Sequence, residues 1–182
     1  MDNMEKRVVK AEEKKGLGIS DIILVAVLLA AGAVLKFFVG SFVNIGGMKP
    51  NFIIAMYCLA ILLIRPKVYE AAIIGILAGA VCQLFPGTPY LNFASELAGA
   101  VVMALLIKIP MQIKNFSLQP IVATFLSTVV SGSLFTVGLF VFTHADFSAM
   151  VAYVPIVLCT AVFNSVIVQV LYIPMKAALK KA

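Results

Sequence analysis

Residues 19–39 read ISDIILVAVLLAAGAVLKFFV. The stretch carries charge only at Asp21 and Lys36, close to its two ends, where polar heads reach the membrane interface. About 20 predominantly apolar residues are the length of one membrane-spanning helix, so the stretch predicts a first span. Five more follow. The run 52–64 is short and reaches spanning length only if 46–51 forms its outer end, which predicts irregular backbone at the start of span two. Residues 68–85 predict span three, Pro86-Gly87-Thr88-Pro89 a tight turn, and 90–109 span four. Residues 118–142 and 147–173 predict spans five and six, the latter interrupted near its start by Pro155.

Composition agrees. Of 182 residues 63% are apolar and 12% charged, with mean hydropathy +1.10, against about half apolar and a quarter charged in soluble domains. Such a balance excludes a soluble globular protein. Six spans take roughly 120 residues, which leaves no room for a second folded domain. The expected organisation is an N-terminal tail over 1–17, polar and of mixed charge, followed by one all-α membrane domain of six transmembrane helices over 18–182. The tail is too polar for the apolar core of a signal peptide.

Lysine and arginine set orientation. Twelve of the fourteen fall on one side, from Lys6 and Arg7 in the tail through Arg65, Lys67, Lys108 and Lys114 to Lys176, Lys180 and Lys181. Lys36 and Lys49 alone fall on the other. The split predicts a cell-membrane protein with both termini cytoplasmic and with outer connections at 40–51, 86–89 and 144–146. The net charge of +6 is therefore a matter of topology and does not indicate nucleic acid.

Chemistry concentrates at few positions. In Gly46-Gly47-Met48-Lys49-Pro50-Asn51 the glycines permit unusual backbone, Pro50 suits a first helical turn, and the following helix start favours anions. Lys49 adds a full charge, so the segment predicts a carboxylate-binding corner at the outer surface. Glu96 is the one carboxylate deep within a span. Such residues face a cavity or a partner, here a substrate ammonium or Lys49. Asn92 and Ser95 extend the same helix start. Asn164, an amide in a medium without water, needs partners and is placed to orient a polar group of a solute.

The hydroxyls of spans five and six are expected to bond back to their own helices or to pack between helices. Gly75-x-x-x-Gly79, Ser95-x-x-x-Gly99 and Ala26-x-x-x-Ala30 mark close helix contacts, and Ala26 and Ala30 could instead receive another protein. Cys58, Cys82 and Cys159 have neither disulfide nor metal spacing and are expected to be small buried hydrophobes. No GxxxxGK[ST], GxSxG or HExxH occurs. His144 sits beside Asp146 in an outer loop, far from any nucleophile. The chain thus reads as neither an ATPase nor an enzyme, and no cofactor or metal is expected.

These features resemble the S components of energy-coupling factor (ECF) transporters: six-span membrane subunits that bind a solute outside and depend on a separate transmembrane coupling subunit and two ATPase subunits. A closer resemblance is to the tryptophan-specific TrpP family. It is carried by Gly46-Gly47-Met48-Lys49-Pro50, Ile61-Leu62-Leu63, Phe85-Pro86 and Ala161-Val162-Phe163-Asn164-Ser165 leading to Tyr172. The resemblance implies an S-component-like bundle, tryptophan as solute, and Ala26 and Ala30 as the docking surface for the coupling subunit. Tryptophan also suits the residues. Its carboxylate would meet Lys49 and the helix-two start, its ammonium Glu96, and its indole a slot near Met48, Phe52, Tyr90 and Phe93. The alternatives are an S component for another solute, such as a vitamin precursor, and a stand-alone secondary carrier.

Overall fold

The structure, a computed structural model, describes residues 16–42, 50–88, 90–113 and 116–179. Gly46, Gly47, Met48 and Lys49 lie outside the described residues. The described residues form six α-helices: α1 Ile19–Phe42, α2 Ile53–Ile64, α3 Val68–Cys82, α4 Leu91–Leu106, α5 Gln119–Thr143 and α6 Val154–Leu179. A 3-10 helix, Phe147–Tyr153, leads into α6. A two-residue antiparallel ladder, β1 Gln112–Ile113 with β2 Phe116–Ser117, joins α4 to α5.

Three segments, Ile19–Val39, Gln119–Thr143 and Phe147–Leu179, are long and apolar enough to cross a membrane. The 24 residues of α1 rise about 36 Å at 1.5 Å each, against a hydrocarbon core of about 30 Å. The helices α2, α3 and α4 are shorter than the sequence predicts. Two of them end in tightened turns: Gln83, Leu84 and Phe85 donate to carbonyls three residues back, as do Lys108 and Ile109. The predicted ends at 85 and 109 are therefore reached in 3-10 geometry.

Helix α2 shows why its sequence is apolar on every side. Its residues from Ile53 to Leu62 are all buried, and all five other helices pack against it. A helix that is apolar all round belongs inside a bundle. Of the segment 46–51 predicted to be irregular, residues 46–49 lie outside the described residues; Pro50 and Asn51 are non-helical, and Phe52 is the cap residue of α2. The outer helices turn Ile22, Ile23, Val27, Phe37 and Phe38 of α1, and Phe163 and Val170 of α6, outward. A surface of this kind suits hydrocarbon, not water.

Small residues set the helix contacts. A Cβ on Gly75 would lie 2.7 Å from the Glu96 carbonyl oxygen, and one on Gly79 would lie 2.8 Å from Phe93 Cα. The glycine pair thus lets α3 lie directly on α4. Gly99 leaves the space that the Tyr57 hydroxyl of α2 occupies. At one end of the bundle, Gln119 donates to the carbonyls of Ile107 (2.8 Å) and Ile109 (2.9 Å) and accepts from Arg65 (3.0 Å). This one side chain fastens the ends of α2 and α4 to the start of α5.

Two expectations need correction. Cys159 is exposed on α6 while Cys58 and Cys82 are buried, because Cys159 lies on the outward face with Val162 and Phe163. Span six also does not end at 173: α6 continues through Pro174 to Leu179. Pro155 falls in the first turn of α6, where a missing N–H costs nothing. Ser148 N–H donates to the Asp146 carboxylate at 2.9 Å, which caps the 3-10 helix and holds that exposed carboxyl below its ordinary range.

Candidate functional site

A cavity of about 260 Å³ opens where α1 ends and α2 begins, enclosed by residues of α1, α3, α4, α5 and α6. At about 30 Å³ per water it has room for roughly nine waters, which suits a small metabolite. Asn51, Asn92 and Glu96 all line it, so three of the residues singled out from sequence meet there.

Glu96 is the anchor. It lies in the second turn of α4, is 1% exposed, and accepts from Asn51 Nδ2 on one oxygen and from Ser131 Oγ (3.2 Å) on the other. A carboxylate has about four acceptor positions. Asn51 and Ser131 take one position on each oxygen, and Glu96 lines the cavity.

Asn51 joins three helices. Its Oδ1 accepts from Ile53 N–H at 3.3 Å, a side-chain turn that starts α2. Its Nδ2 reaches Glu96 on α4, and its backbone carbonyl accepts from Asn164 Nδ2 of α6 at 3.1 Å. Asn164 is fully buried and also donates to Thr128 Oγ1 at 3.4 Å. It stands behind the cavity wall and holds Asn51 in place; it does not line the cavity itself. Ser95 Oγ bonds back to the Asn92 carbonyl at 3.4 Å, as a span hydroxyl commonly does.

Lys36 is the residue that sequence reasoning missed. Placed by its sequence position to reach the membrane interface, it instead lines the cavity. Its Nζ lies 3.4 Å from Cys82 Sγ and 5.2 Å from the centroid of the Phe85 ring. The hydroxyls of Thr128, Ser131 and Thr160 also belong to the lining. The spacing of Thr124, Ser127, Thr128 and Ser131, which repeats at i, i+3, i+4 and i+7, was a signal for one inward polar face on α5, and all four are buried.

Of the residues expected near an aromatic slot, Met48 lies outside the described residues and the other three do not line this cavity. Tyr90 is 75% exposed, Phe93 packs over Gly79, and Phe52 lines a separate apolar cavity of about 380 Å³ beside α6. Phe37, Phe85 and Phe135 supply the aromatic wall instead. They come from α1, the turn after α3, and α5, which only the fold brings together. Among the described residues no cluster of three or more His, Cys, Asp or Glu could hold a metal ion, and His144 is an exposed residue at the end of α5.

The described helices thus form an apolar bundle holding a small cavity with one acid, one base and aromatic walls, a lining whose chemistry is compatible with a small polar solute that has an apolar part. Comparison with known proteins narrows this. The chain belongs to the tryptophan transporter TrpP family, whose model matches residues 18–180. It is 24% identical over 168 residues to a probable tryptophan transport protein of Clostridium acetobutylicum, covering 90% of this chain and 96% of that protein. It is 28% identical over 170 residues to a probable tryptophan transport protein of Bacillus subtilis, covering 89% and 94%. No solved structure matches it.

Proposed function

We propose that this chain is the substrate-capture subunit of an ECF-type importer in the cell membrane. It binds tryptophan at the outer face and hands it to a separate transmembrane coupling subunit and two ATPase subunits. The observation that carries the reading is Glu96, a buried carboxylate in the lining of a cavity with aromatic walls. An ionisable group in such a place needs a partner, and an amino-acid ammonium is one.

In this reading the six helices are six spans, residues 1–17 are a cytoplasmic tail, and 18–182 form the binding domain. The excess of lysine and arginine in the tail and in the connections after spans two and four supports cytoplasmic termini, and Arg65, at the end of α2 away from the cavity, fits an outward cavity. Gly46, Gly47, Met48 and Lys49 take part in binding the solute together with Asn51, Asn92 and Glu96, and Asn164 acts through Asn51. Ala26 and Ala30 are exposed on one face of α1, which supports their use as the docking surface. The chain contains no GxxxxGK[ST] segment, so the energy comes from elsewhere.

The absence of tryptophan from the chain gives a direct test. Purified protein excited where tyrosine hardly absorbs should show emission that travels with it, is lost on dialysis after denaturation, and yields tryptophan by mass spectrometry. In liposomes, accumulation should require the coupling subunit, both ATPases and ATP. Ala26→Phe should bind tryptophan normally yet block uptake. Accumulation by the chain alone would make it a stand-alone carrier and overturn the reading.

A further inference from the structure

We propose that Lys36 binds the substrate carboxylate, so that the cavity reads both charges of a free aromatic α-amino acid and rejects the corresponding amine or acid alone. The inference rests on the tryptophan-capture reading and adds a residue and a selection rule to it. Its basis is how the structure places the two charges of the cavity.

Lysines on apolar helices extend along the helix to put their ammonium in water when they can. Lys36 does not. Its Nζ is committed to the cavity wall, on a thiol and over an aromatic ring. Both are neutral partners; Lys36 makes no direct ion pair with Glu96, whose charge it meets only across the cavity. A half-buried ammonium on an apolar bundle gains from an anion placed against it.

The one carboxylate of the cavity, Glu96, is occupied differently: its oxygens are held by Asn51 and Ser131. Were the two charges present only to neutralise each other, direct contact would be the favourable arrangement, since desolvation is repaid only by close pairing. They instead line one cavity of about 260 Å³ as separate members, with hydroxyls and aromatic rings around them. A zwitterion completes this arrangement. Its ammonium meets Glu96, its carboxylate meets Lys36, and its aromatic side chain lies among Phe37, Phe85 and Phe135. A single-charged analogue leaves one charge of the cavity without a partner.

The experiment pairs ligands with variants. Wild-type protein in detergent, titrated with tryptophan, tryptamine and indole-3-propionate by ligand fluorescence, should bind tryptophan far more tightly than either analogue. Lys36→Met should weaken tryptophan binding about tenfold to a hundredfold, the loss of one charged contact, and leave tryptamine binding unchanged. Lys36→Arg keeps the charge and should retain most of the affinity. Each variant's melting temperature in detergent reports folding. Tryptophan bound equally by wild type and Lys36→Met would overturn the assignment and leave tryptophan capture standing. Equal losses for tryptophan and tryptamine in folded Lys36→Met would overturn it as well, because the lysine would then shape the cavity and not read the carboxylate. A wild-type protein that binds no tryptophan would overturn both.

Discussion

Glu96→Gln isolates the charge of the cavity from its shape. The glutamine is isosteric, so Phe85, Asn51 and Ser131 can stay where they are. In the wild type Asn51 and Ser131 each donate to one oxygen of the carboxylate. The amide oxygen can accept from Asn51 while its NH2 donates to the Ser131 hydroxyl, which accepts as well as donates, so both internal hydrogen bonds can be kept while a buried charge is removed. The melting temperature in detergent should therefore change little. Binding should change more. A hydrogen bond to a charged group contributes about 1.5–3 kcal/mol, and at 1.4 kcal/mol per factor of ten tryptophan affinity should fall roughly tenfold to 150-fold. Indole-3-propionate, which has no ammonium, should lose nothing. Titration of the tryptophan-free protein with each ligand, followed by ligand emission, gives both constants directly. An unchanged tryptophan constant with intact folding would refute the role of Glu96 as ammonium partner.

Two further outcomes test the packing and the cavity. Gly75→Ala places a Cβ 2.7 Å from the Glu96 carbonyl oxygen and 2.8 Å from Ala100 Cβ. α3 must move away from α4, at a cost of about 1–3 kcal/mol that thermal unfolding in detergent should register; an unchanged midpoint would contradict the close helix approach. In a variant keeping only Cys82, tryptophan should slow mixed-disulfide formation with a small methanethiosulfonate, since Cys82 lines the cavity. A variant keeping only the outward Cys159 should react at the same rate with or without tryptophan, and protection at both cysteines or at neither would argue against this cavity as the binding site.

Much of the fold was legible because apolar length and all-round apolarity are properties of the chain itself. Residues 19–39 could be read as spanning length, and the continuous apolar run of α2 is what a central helix needs. The glycine pair at 75 and 79 announced a close contact, though not that α4 would supply the partner. Glu96 was legible for a related reason: a lone carboxylate far from both ends of a span has few places to go. The aromatic wall was not, because Phe37, Phe85 and Phe135 are distant in sequence and meet only through the packing of three helices.

Lys36 shows the physical limit most clearly. Near the end of an apolar helix a lysine has two outcomes, outward to the interface or inward, and the phase of the helix decides between them. The buried positions of α1 are Val25, Leu28, Leu29 and Gly32, a stripe at i, i+3, i+4 and i+7. Lys36 falls one helical turn beyond Gly32 and continues that stripe. The phase is fixed by Gly32, where a Cβ would lie 2.9 Å from Ile53 Cα, so α1 must turn this line toward α2. In sequence α1 is apolar on every side and has small residues on more than one face, with Ala26 and Ala30 offering a competing line of close contact. Nothing in the pattern ranks Gly32 above them. The direction of the lysine is thus set by the contact between α1 and α2, and it becomes readable only when one knows which small residue that contact uses.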